Sequence, residues 1–208
     1  MNKEKIEWSV IEMPNFFDAS QLYEEPPWER GMIKYVEPGK VFLKQEEQVP
    51  NSLARYNHPK FKELHYEVMF EIEKIIGEKL YPTYYYDRFY FKGNELKKHV
   101  DRNSCEVSIT MNISHNLDYD WGIFFEKPDK SSFSCITNPG DAALYKGCII
   151  PHWREPMKGN KNSYYHQIFL HYVRRNGHCV EHAYDMGCLL YTSPSPRDMR
   201  RSRMPSSA

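Results

Sequence analysis

His99-Val100-Asp101 is the segment whose residue types and spacing most directly suggest chemistry. On an extended backbone, residues two apart project to the same side, so this imidazole and this carboxylate can reach one ion. A third ligand from a later strand would complete one face of an octahedron. Three positions would then stay open, an arrangement suited to non-haem Fe(II) and small co-reactants. His152 is the candidate third ligand, and His115, His166, His171, His178 and His182 are the alternatives. His115 follows the pair too closely to come from an opposing strand and reads as a turn residue. His166 and His171 fall in the last β-like run, where buried structural imidazoles are usual, and His178 and His182 read as solvated. An H-x-D triplet alone is common by chance, so its weight comes from the flanking sequence.

Tyr90-x-x-Gly93 precedes His99-x-Asp101, and Gly140-Asp141-Ala142-Ala143-Leu144-Tyr145 precedes His152. Pro156 and then Gly159-Asn160-Lys161 follow it. In order and spacing these stretches resemble the prolyl 4-hydroxylase-like Fe(II)/2-oxoglutarate-dependent dioxygenases across residues 80 to 173, with a one-residue slippage after His152. The resemblance implies a double-stranded β-helix in which His99, Asp101 and His152 hold Fe(II). It also implies that 2-oxoglutarate and O2 are consumed, that succinate and CO2 are released, and that a C–H bond of a prime substrate is hydroxylated, with ascorbate as a stimulant. Halogenating relatives replace the metal carboxylate, so Asp101 favours hydroxylation.

The far carboxylate of 2-oxoglutarate requires a hydroxyl and a cation, because a buried anion needs charge-assisted partners. Tyr90 is the hydroxyl that the resemblance supplies, and Lys161 is the cation that its layout suggests. Arg154 competes with Lys161: it lies two residues from His152, shares its strand face, and has a planar fork matched to a carboxylate. Aligning the final strand instead puts His166 or Gln167 in that place. The strand-face reasoning favours Arg154. Arg102 points away from Asp101 and suits an acidic partner or substrate, while Trp121, Trp153 and Cys148 read as packing.

These residues need a scaffold. From His58 to Leu80, Phe61, Leu64, Val68, Ile72, Ile75 and Ile76 recur at helical spacing, and Gly77 and Pro82 close the pattern. Beyond it, TYYYDRFYF (83–91), EVSITMNIS (106–114), WGIFFE (121–126), DAALYKG (141–147) and QIFLHYV (167–173) read as short strands parted by turn residues. The expected architecture is mainly β: a two-sheet jelly roll, cupin-like, with the helix packed on one sheet. Residues 1–57 read as a lead-in with short strands such as KVFLK, 58–80 as a support helix and 81–187 as the oxygenase core. The remainder, 188–208, contains CLLYTSPSPRD and SRMPSSA, which resemble a translated sequencing-library adapter, and reads as a non-native tail.

Composition narrows the alternatives. Apolar residues make up 40 % and aromatics 15 %, which fits a folded domain rather than a disordered chain. Lys plus Arg and Asp plus Glu balance at 28 each, so no net field draws the chain to nucleic acid. No apolar run spans a membrane, the opening MNKEKIEWSV lacks a leader pattern, and the five cysteines form no C-x-x-C pair. A cytoplasmic setting with reduced thiols is expected. The prime substrate, peptide or small molecule, and the oligomeric state are left open. Two other classes stay in view: a cupin-like metal isomerase or hydrolase, and a non-catalytic jelly-roll binding module.

Overall fold

Val107, Ile109, Met111 and Ile113 alternate with Ser108, Thr110, Asn112 and Ser114, and in this computed structural model both sets are buried. The strand that carries them must therefore be covered on both faces. It is β6 (Val107–His115), and its apolar face packs under α1 (Lys62–Ile76), the one α-helix among the described residues. Its polar face looks into the interior between two sheets.

The structure describes residues 8–27, 44–45 and 48–185. The KVFLK run apart from Lys44, most of the opening decapeptide, and the whole 188–208 tail with Cys188 lie outside the described residues. The larger sheet joins β1 (Val10–Met13), β9 (Ala142–Tyr145), β6, β11 (Tyr164–Arg174), β4 (Leu80–Phe91), β3 (Leu53–Tyr56) and β2 (Lys44–Gln45), in that order. The smaller joins β5 (Leu96–His99), β10 (His152–Arg154), β7 (Ile123–Glu126) and β8 (Ser132–Cys135). Every pairing is antiparallel. The four-strand set β9-β6-β11-β4 facing β5-β10-β7-β8 is the double-stranded β-helix. Strands from the lead-in extend the larger sheet at both edges, so that region is built into the same sheet as the core. No helix among the described residues is long and apolar enough to cross a membrane.

Two expectations need correction. The helical run 58–80 is shorter in the structure: Pro59–Phe61 forms a 3-10 turn, α1 spans Lys62–Ile76, and Leu80 already belongs to β4. Gly77 ends the helix in the left-handed conformation, φ 70°, which a residue without a Cβ adopts at little cost. Ile75, counted in the buried stripe, is 36 % exposed, and His65 and Met69 take its share of the sheet face. An imidazole in an apolar stripe is harder to foresee, and His65 has a specific reason to be there. Its Nε2–H donates to the His171 carbonyl at 3.1 Å, and its ring packs on Tyr172 and Tyr85.

That burial has a pH consequence. It pushes the His65 imidazole down to about 4, from 6.5 for an unburied ring. Between those values the unfolded chain binds a proton at His65 that the folded chain refuses. Stability is thus complete above pH 6.5 and falls as the pH drops toward 4, by roughly 3 kcal/mol at about 1.4 kcal/mol per unit. Urea unfolding at about pH 7 and about pH 4.5 should show His65→Gln losing less stability over the interval than wild type. Equal losses in the two proteins would show that His65 is not the group responsible.

Candidate metal and co-substrate site

β5 is four residues long and β10 only three, yet their pairing sets the distance that matters. His152 is the Cα partner of His99, which brings an imidazole from each strand to one point on the inner face of the smaller sheet. The ring centroids are 4.5 Å apart. Asp101 follows the end of β5, with its N–H held by the Gly147 carbonyl at 2.9 Å. Its Oδ1 lies 3.4 Å from His99 Nε2 and 3.6 Å from His152 Nε2. Among the described residues, His99, Asp101 and His152 form one of two groups whose donor atoms could hold an ion.

The second nitrogen of each ring is already committed. His99 Nδ1–H donates to the Lys97 carbonyl at 2.7 Å, and His152 Nδ1–H to the Ile150 carbonyl at 2.9 Å. This fixes the tautomer and leaves both Nε2 lone pairs facing the common centre, as metal-binding histidines require. Gln48 bears this out on one side: its amide N–H donates to His99 Nε2 at 3.1 Å, where a metal would bind. Burial pushes the Asp101 carboxyl up, but in the metal-free protein a proton on Nε2 of His152 or His99 donates to it and outweighs that effect, holding Asp101 well below the usual carboxylate range. A bound cation would displace such a proton and take over its charge. An ionised carboxylate and two neutral imidazoles are a donor set that suits Fe(II), and their ligand atoms all lie within 4.8 Å of one another.

The inner faces of β4, β6 and β11 line the rest of the interior. Arg154, one turn of the pleat beyond His152, is buried there, whereas the intervening Trp153 is half-exposed and stacks on Phe124. Its guanidinium donates to the Trp121 carbonyl at 2.7 Å and to Gln167 Oε1 at 3.0 Å, and it lies against Trp121 and Tyr165. These contacts are all neutral, and Arg154 Nε has no partner. Gln167 in turn donates to Thr110. Tyr90 is fully buried beside Trp121, its hydroxyl accepting from Arg88 at 3.1 Å. Lys161 sits in the turn before β11 and is exposed.

The other sequence candidates lie elsewhere. His166 is on the outer face of the larger sheet, where its Nε2 is 2.8 Å from Asp87, which also takes Arg55. Gln167 does face the interior, as a partner of Arg154. His115 ends β6 and accepts from Leu117 N, closing a turn as expected. Arg102 pairs with Asp185 at 3.4 Å. His171 is interior and buried, close to Asp101 but outside the His99–His152 centre. Sequence reasoning passed over Arg88, Gln48, Ser108 and Gly147. The clean alternation of β6 was the one available signal, and it pointed at Ser108.

No protein-family model matches this chain, and no curated protein matches it. Solved structures do. A prolyl-4-hydroxylase from Pseudomonas putida aligns with a TM-score of 0.54 and 12 % identity, over 80 % of this chain and 93 % of that one. A Trichoplax adhaerens prolyl hydroxylase, in complex with a hypoxia inducible factor peptide fragment, gives 0.56 and 13 %, over 79 % and 83 %. The non-heme alpha-ketoglutarate-dependent epimerase SnoN from nogalamycin biosynthesis gives 0.57 and 9 %, over 79 % and 77 %. Likeness at such identities establishes the shared double-stranded β-helix.

Proposed function

We propose that this chain is an Fe(II)- and 2-oxoglutarate-dependent oxygenase that hydroxylates a C–H bond of a prime substrate. One observation carries the reading: two imidazoles and one carboxylate converge with their lone pairs inward, next to a buried guanidinium whose contacts are all neutral. Arginine cannot shed its proton, and a buried charge without a counter-ion is costly, so the interior is built to receive an anion. A dicarboxylate chelated at one end by the metal and held at the other by a cation satisfies both features. The architecture shared with two prolyl hydroxylases and with SnoN, an alpha-ketoglutarate-dependent epimerase, adds support for the general kind of reaction.

In this reading His99, Asp101 and His152 would hold the ion. The bound metal supplies, with 2-oxoglutarate and O2, the oxidising power for C–H hydroxylation. Arg154 binds the far carboxylate of 2-oxoglutarate. Tyr90, Trp121 and Tyr165 pack around its guanidinium and would exclude water there, which strengthens an ion pair. A cleft of about 450 Å³, lined by Gln48, Pro50, Glu95, Lys97 and His99, reaches one of the three ligands, His99, and would be the approach for the prime substrate.

Anaerobic addition of 2-oxoglutarate to Fe(II)-loaded protein should raise the visible metal-to-ligand charge-transfer band of a chelated 2-oxo acid. Admission of air should then yield slow succinate formation without any prime substrate, suppressed by Zn(II) at the same ligands. Iron binding with no band and background succinate would point to a cupin-like isomerase or hydrolase. No metal binding at all would leave a binding module.

A further inference from the structure

The two oxygens of Asp101 have different neighbours. Oδ1 faces His99 and His152, whereas Oδ2 lies 3.3 Å from Ser108 Oγ. Ser108 Oγ is in turn 2.9 Å from His171 Nδ1 and 3.1 Å from the Cys105 carbonyl. Asp101, Cys105 and His171 form the second group of potential metal donors, all within 4.8 Å of one another. The space beside them is already filled. The Ser108 hydroxyl contacts two of the three residues' side chains, and a Cβ at Gly147 would lie 2.5 Å from Asp101 Oδ2, Ser108 Oγ and Cys105 O. Such a tight cradle suits hydrogen bonds better than an ion.

The direction of those bonds follows from what His171 lacks. Its Nε2 is buried without a partner. A proton there would be an unsatisfied buried donor, which is rarer in folded proteins than an unsatisfied acceptor. With the proton on Nδ1 instead, His171 donates to Ser108 Oγ and frees the serine O–H to donate to Asp101 Oδ2, a proton it shares with the Cys105 carbonyl. Strand pairing sets the two side chains against each other: His171 is the Cα partner of Ser108 in the β11–β6 register, and the extra residue in the β11–β4 pairing falls on β4, opposite His171. Tyr84 and Tyr86 pack against the ring and keep it in place.

Building on the metal-site reading above, we infer that Ser108 and His171 are positioning residues that tie up Asp101 Oδ2 and restrict the carboxylate to ligation through Oδ1. The consequence is an open coordination position. A carboxylate free to rotate can chelate with both oxygens, and a second oxygen would occupy a site that a co-substrate or O2 needs. The relay also holds the carboxylate in the orientation that meets both imidazoles. Outer hydrogen bonds of this kind are typically worth about 10–100-fold in metal affinity.

Co(II) titration of wild type, Ser108→Ala, His171→Leu and His171→Asn tests this, because cobalt absorption reports affinity and coordination number without turnover. Ser108→Ala and His171→Leu should bind cobalt about 10-fold or more weakly, with a spectrum shifted toward the higher coordination number. His171→Asn, whose side-chain amide can donate from nearly the position of Nδ1, should restore wild-type affinity and spectrum. Wild-type behaviour of Ser108→Ala would overturn the relay alone, and so would a His171→Asn protein as impaired as His171→Leu. If His171→Leu fails to fold, Ser108→Ala still decides. A wild-type protein that binds no cobalt would remove the metal site and the relay with it.

Discussion

His152→Ala is expected to abolish Fe(II) and Co(II) binding, while His166→Ala keeps wild-type affinity and His171→Ala binds more weakly but measurably. The three imidazoles differ in which face of the barrel they occupy. His152 points inward from β10, with Nδ1 spent on a carbonyl and Nε2 beside Asp101. Its removal leaves one imidazole and one carboxylate, and no neighbouring nitrogen can swing into the gap. The loss should exceed the about 10–100-fold typical of an outer hydrogen bond. His166 is on the opposite face of the larger sheet, bound to Asp87. Its substitution should instead lower stability, because Asp87 is fully buried and would keep only Arg55. Isothermal titration with Co(II), alongside urea unfolding, separates the two effects. Metal bound at full affinity by His152→Ala would refute the assignment.

Arg154→Ala is expected to raise the 2-oxoglutarate requirement far more than Lys161→Ala, with metal affinity nearly unchanged. Arg154 lies two strand residues from His152, about 7 Å along β10 at ~3.3 Å per residue, comparable to the span of a five-carbon diacid held at its other end. Removing the guanidinium would leave a carboxylate desolvated and unpaired, a loss of roughly 2–5 kcal/mol. Arg154→Lys should recover only part of it, since an ammonium cannot reproduce the two-pronged contact. Lys161 is exposed in the turn before β11, where water already screens it, so its substitution should matter little. The readout is the 2-oxoglutarate dependence of the charge-transfer band at saturating Fe(II). If Lys161→Ala carries the loss and Arg154→Ala binds 2-oxoglutarate normally, the turn closes over the co-substrate and the strand-face assignment fails.

Local patterns were enough for some of this. The separation of His99 and Asp101 is two covalent steps, and on extended backbone that alone puts both side chains on one side. Helical spacing marked the stripe from Phe61 to Ile76, alternation marked the strand that becomes β6, and β-branched and aromatic content marked those that become β4 and β11. The sequence also kept six histidines in play and several groups for the co-substrate carboxylate. Choosing among them required facts with no local signature. LKKH and HWR are too short to show a period, yet the β5–β10 pairing brings His152 opposite His99. Likewise the alternation of β6 looks the same whether its polar side meets water or a closed interior. Only the second sheet, laid across Ser108 and Thr110, decides that, and it turns the polar side into a lining of the interior. Arg88 follows the same logic, since a charged side chain in a strand reads as solvent-facing until the opposite sheet is in place, and here it is buried. Arg154, two residues from His152, was placed inward by the shared strand face, and it too is buried. The chain thus encodes its ligand types and element periods locally. Their convergence on one centre depends on sheet pairing between residues about fifty positions apart in sequence, which no local pattern specifies.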